Sequence, residues 1–162
     1  MSMQRANAHW VVWITLMLAA LLSILPLPIW LSLGRPAWVP MVMLYWILAL
    51  PDRFGLLFAF AIGVCLDVFL GTLFGLSAMG MVLVAFIAIG LHRRLRMFPV
   101  WQQAFMIFVI IGCYQLMILW VRSAFGRAAP SLWYLLPSVT SALIWPWLMA
   151  GLRFLRRYFR VV

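Results

Sequence analysis

The stretch "GVCLDVFLGTLFG", residues 63–75, decides how this chain is read, because it sets one carboxylate, Asp67, in a run that is otherwise apolar or small. Ala59, Gly63, Asp67 and Gly71 recur at every fourth position. On a helix that spacing draws one slowly drifting stripe of small residues with an acid in it. In lipid such a stripe lets two backbones approach closely, since packing and hydrogen bonds there replace the hydrophobic drive for association. Asp67 then has two explanations. Either it is tied to backbone groups, hydroxyls, Arg35 or Arg122 near its own turn, or it and the stripe receive a partner's helix or a ligand. Gly71 and Gly75 frame a tight turn just beyond it.

Composition makes lipid the surrounding medium. Of 162 residues, 69% are hydrophobic, which identifies an integral membrane protein. Asp52 and Asp67 are the sole acids, lysine is absent, and twelve arginines leave a formal charge of +10. Those arginines sit in short clusters between apolar runs, the pattern of loops facing anionic lipid headgroups and not of a nucleic-acid surface. Cys65 and Cys113 lie inside apolar segments and read as small packing residues, with no disulfide framework or metal site implied. The first apolar run follows Arg5 and leads into "LPLPIWLSLGRP" without a small-x-small cleavage site, so it reads as a retained anchor.

Proline and arginine punctuation cuts the chain into six spans, about 10–31, 37–50, 54–70, 73–91, 99–121 and 131–152. The second is short, about 21 Å at 1.5 Å per residue, and calls for local thinning or for Arg35 and Arg53 to snorkel outward as anchors. Pro26 and Pro28 interrupt the first and set "LPLPIWLSL" at the interface. With the amino terminus cytoplasmic, Arg5, Arg53, Arg93, Arg94, Arg96, Arg153, Arg156, Arg157 and Arg160 fall inside, against Arg35, Arg122 and Arg127 outside. The positive-inside rule then supports an all-α membrane protein, a single bundle of six transmembrane helices with both termini cytoplasmic. Trp10, Trp101 and Trp147 mark inner ends, and Trp30, Trp38, Trp120 and Trp133 outer ends, as belt residues do. The inner arginines Arg93, Arg94, Arg96, Arg153, Arg156, Arg157 and Arg160 are candidates for contact with anionic lipids or a cytoplasmic partner.

The chain is poor in chemistry. Asp52 and Asp67 are the only possible acid pair, yet fifteen helical positions separate them by about 22 Å, too far to share a proton. "GLSAMG" around Ser77 resembles the serine motif of intramembrane serine proteases, but Ala78 stands where that motif has glycine. His92 is about 22 Å along the same helix and cannot serve Ser77 as a base. No enzyme, cofactor or metal site is expected. A transporter-like site for a small ligand or lipid stays open, because an intramembrane carboxylate is a functional hypothesis by default.

"RPAW" at 35–38, "LYWILALPDRFG" at 44–55, the glycines around Asp67, "WQQA" at 101–104 and "WPW" at 145–147 occur in an order that resembles the MreD family of rod-shape-determining membrane proteins. The likeness covers nearly the whole chain, though the outer loop after Trp120 matches least. It implies a noncatalytic scaffold of the cell-wall elongation machinery in the bacterial inner membrane. MreC is the implied direct partner, and the actin-like MreB filaments, RodZ, RodA and a class B penicillin-binding transpeptidase belong to the wider assembly. The family is also similar in fold to the S components of energy-coupling-factor transporters, which keeps the ligand alternative alive. Carried onto this chain, the motif falls on Arg35, Pro36, Tyr45, Trp46, Pro51, Arg53, Gly63, Asp67, Gly71 and Gly75, and Ala59 joins them through the stripe. The same small-residue face serves self-association, so a homodimer is a further alternative.

Overall fold

In the computed structural model, residues 9–126 and 132–160 are described, and every element among them is helical. Arg5 and Arg127 lie outside the described residues. Helix α1 (His9–Ile24) stops just before Pro26 and Pro28, which lack N–H donors, and a single helical turn, α2 (Ile29–Ser32), follows. The first apolar helix thus ends at Ile24, short of the expected boundary near residue 31, and "IWLS" forms a separate turn with Ile29 and Trp30 exposed. Then come α3 (Trp38–Ala49), α4 (Leu56–Leu70), α5 (Leu76–Met97), α6 (Val100–Ala124), a 3-10 turn at Leu132–Leu135, and α7 (Leu136–Tyr158).

Three segments, Leu76–Met97, Val100–Ala124 and Trp133–Tyr158, are long and apolar enough to cross a membrane, and α1, α3 and α4 are shorter apolar helices. The sequence places a span at 73–91, whereas α5 begins at Leu76 and continues through His92, Arg93, Arg94 and Arg96 to Met97. The basic cluster is therefore the last turns of a helix, where cations meet the negative end of its dipole.

The short second span is the hub. Helix α3 packs against α1, α5 and α7, and Val39 to Ile47 are all buried. A helix that is apolar on every side belongs in an interior. Its length of about 18 Å needs no snorkelling anchors, because neighbouring helices surround it instead of lipid. Around it, α4 packs on α5, α5 on α6, and α6 on α7. On α5, Gly80 makes room for the Tyr114 ring of α6, which an added Cβ would approach to 2.5 Å. The exterior is apolar, with Trp10, Trp13, Trp30, Trp101, Trp120, Trp133 and Trp147 all exposed and Trp38 half-buried. Cys65 is exposed on α4 and Cys113 half-buried, so Cys65 does not pack in the interior as its apolar surroundings suggested.

Candidate functional site

Helix α4 ends when Gly71 takes a left-handed conformation (φ 62°), its N–H returning to the Asp67 carbonyl. Gly75, the residue just before α5, is also left-handed (φ 91°) and has no side chain to cap the new helix. The first N–H groups of α5 would be orphaned there. Asp67 supplies the missing acceptor from the preceding helix: Gly75 N–H donates to Oδ2 at 3.0 Å, Ser77 N–H to Oδ1 at 3.0 Å, and Ala78 N–H to Oδ2 at 3.4 Å. The Thr72 hydroxyl adds a fourth bond to Oδ1 at 2.8 Å. The carboxylate is only 2% exposed and faces the positive end of the α5 dipole.

Gly63 makes that geometry reachable. A Cβ there would come within 2.7 Å of the Ala78 backbone nitrogen and 3.0 Å of the Ser77 carbonyl carbon. Ala59, one turn earlier, is fully buried. The stripe of Ala59, Gly63 and Asp67 therefore meets the protein's own α5. Gly71 and Gly75 have open space where a Cβ would stand, so their role is conformational. Sequence reasoning allowed backbone groups and hydroxyls of this turn as partners of Asp67 but did not single out Thr72, Ser77 or Ala78. The missing signal was available in Gly75, a helix start with no capping side chain, eight positions after an acid.

The remaining candidates divide into separate settings. Arg35 does not reach outward; its Nη1 and Nη2 donate to the carbonyls of Ser23 and Leu25 at the end of α1. Pro36 lies in the turn before α3, where the Ala37 N–H donates to Ser141 Oγ on α7 at 3.0 Å. Trp46, fully buried, donates from Nε1 to Thr15 Oγ1 on α1 at 2.9 Å. Arg53 is exposed and its Nη1 lies 3.0 Å from His9 Nε2.

Among the arginines expected at the inner face, Arg96 turns back onto α3, donating to the Leu48 carbonyl at 2.7 Å and the Ala49 carbonyl at 2.8 Å. Arg96, Arg153, Arg156 and Arg157 line one cavity of about 630 Å³, with Tyr45 in its wall. Arg93, Arg94 and Arg160 are exposed and outside that lining. Asp52 is exposed in the turn before α4, far along the chain from the engaged carboxylate of Asp67.

The family model described as rod shape-determining protein MreD matches residues 4–155. Over 149 residues the chain is 28% identical to a rod shape-determining protein MreD of Haemophilus influenzae, covering 90% of this chain and 92% of that one. No solved structure matches. The match runs through every helix described above, from α1 into the last turns of α7, and the chain belongs to the MreD family of rod shape-determining membrane proteins.

Proposed function

We propose that this protein is a non-enzymatic scaffold of the bacterial elongation machinery, a multi-pass protein of the inner membrane. In this reading it binds MreC and couples MreB filaments to peptidoglycan synthesis, alongside RodZ, RodA and a class B penicillin-binding transpeptidase. The chain crosses the membrane six times, with both termini cytoplasmic and an S-component-like bundle. The observation that carries the reading is the family match across residues 4–155, joined to helices that expose many large apolar side chains. The arginine distribution supports the orientation.

Helix α4 has two faces, which refines where MreC's single helix would seat. One face is filled by α5. On the other, Ile62, Cys65, Leu66 and Phe69 line an apolar groove together with Trp13, Leu16 and Met17 of α1. Small and apolar residues facing lipid suit packing of a second transmembrane helix. Asp67 and Gly63 then serve the partner indirectly, by holding α4 in position.

The test is retention of MreC when the protein is purified gently at its native level, with cell shape scored in parallel. Cys65→Trp and Phe69→Ala are expected to release MreC and round the cells while the protein stays folded. A protein that leaves MreC behind, in cells that keep their rod shape without it, would overturn the scaffold. A transporter-like ligand reading has one observation in its favour, the cavity at the basic end of the bundle.

A further inference from the structure

Four arginines converge on the cavity of about 630 Å³, Arg96 from α5 and Arg153, Arg156 and Arg157 from α7. The last three are spaced i, i+3 and i+4, so they project from one face of the helix and repel one another there. No acid lines the cavity. Asp67 is held at the far turn and Asp52 is exposed elsewhere, and the chain has no others. An anion from outside the chain is the group that would neutralise this face.

Two buried polar atoms without hydrogen-bond partners sharpen the chemistry. Trp145 is 1% exposed and its Nε1 is unpaired; Gln103 is 8% exposed and its Oε1 is unpaired. Both residues line the same cavity. A buried polar atom left without a partner is costly to keep. An indole N–H only donates, so Trp145 calls for an acceptor such as a phosphate oxygen. The Gln103 amide is oriented by its Nε2, which donates to the Leu95 carbonyl at 2.6 Å. Its oxygen therefore faces away from that carbonyl and calls for a donor. A phosphate would answer the arginines and, once admitted to the buried indole, Trp145, while a neighbouring hydroxyl or amine would answer Gln103. Leu48, Leu50 and Met149 complete an apolar wall, which suits the start of a hydrocarbon chain.

We propose that this cavity binds a phosphorylated headgroup that carries a hydroxyl or amine next to the phosphate. The site goes beyond the scaffold reading and holds whether or not MreC binds. Its chemistry is shared by a membrane phospholipid and by a soluble phosphate ester, and experiment separates the two.

Delipidated full-length protein in detergent, checked for monodispersity, is titrated with phosphatidylglycerol, phosphatidylcholine and sn-glycerol 3-phosphate, and bound species are counted by native mass spectrometry. One saturable phosphatidylglycerol is expected, with phosphatidylcholine, which has no hydroxyl or amine donor in its headgroup, much weaker. The double variant R153Q/R156Q and the single variant W145F are each expected to weaken it about tenfold or more, the loss of one or more charge-assisted or buried bonds. R93Q/R94Q, which removes the same charge outside the cavity, is expected to leave it unchanged. Saturation by sn-glycerol 3-phosphate assigns a soluble ester, and a need for acyl chains assigns a lipid; either supports the site. Equal binding of phosphatidylcholine, equal loss in R93Q/R94Q, or no saturable binding would overturn it. Because MreC is absent from the titration, this outcome is independent of the scaffold test.

Discussion

Asp67 belongs to α4 but caps α5: the backbone N–H of Ser77 donates to its Oδ1 at 3.0 Å, ten residues further along the chain. Removing this acceptor strands several donors at a buried helix start. Asp67→Ala is expected to lower stability by about 3 kcal/mol, and Asp67→Asn by less, since one amide oxygen still accepts. Thermal unfolding of the purified protein in detergent measures both. A protein of unchanged stability that no longer retains MreC would mean that the carboxylate serves the partner directly.

Gly63 and Gly71 should separate under the same substitution. At Gly63 a methyl group meets the α5 backbone, so Gly63→Ala forces the two helices apart and is expected to cost about 2 kcal/mol as overpacking. At Gly71 nothing crowds the site, and Gly71→Ala carries only the left-handed backbone penalty of about 1–2 kcal/mol. Combining Gly63→Ala with Asp67→Ala is expected to be less than additive, because both break the α4–α5 contact. Additive losses would argue against a shared interface.

Arg96 and Arg93 lie close in sequence but differ in work. Arg96→Gln removes charged donors from the last carbonyls of α3 and is expected to cost about 1–3 kcal/mol. Arg93→Gln, on an exposed face, is expected to change stability by less than about 0.5 kcal/mol. Denaturation of both variants side by side reads the contrast. Equal, small effects would mean that the α3 terminus finds other donors.

The buried bond between Trp46 and Thr15 makes a double-mutant cycle informative. Thr15→Val leaves the indole N–H without its acceptor and is expected to cost about 1–3 kcal/mol, whereas Trp46→Phe together with Thr15→Val restores part of it. A coupling energy near zero would show that this contact does not hold α1 on α3.

Several helix ends in this protein are finished by another part of the chain. Arg35 closes α1, Ser141 receives the N–H that opens α3, Arg96 closes α3, Asp67 opens α5, and Gln103 takes the Leu95 carbonyl near the end of α5. Water does that work for soluble helices, but a helix end buried among apolar segments has to find protein donors and acceptors. Polar residues are scarce here, and several of them are spent on helix termini. Arg35, Arg96 and Asp67 stood out in the sequence as charges among apolar runs, and in the structure each engages a helix end of its own chain.

What the sequence determined by itself was the class: apolar runs cut by proline and arginine make helices in lipid, and an ordered set of motifs makes the family. Periodicity also located the stripe of Ala59, Gly63 and Asp67. Which helix fills that stripe is a question of pairing, and a fourfold repeat is the same whether the neighbour is α5 or a separate chain. The burial of α3 on all sides, the meeting of Asp67 with Ser77, and the convergence of Trp145 and Gln103 with arginines from two helices were decided only by tertiary structure. Their contacts join residues far apart in the chain, and no local pattern specifies which of several apolar surfaces will meet.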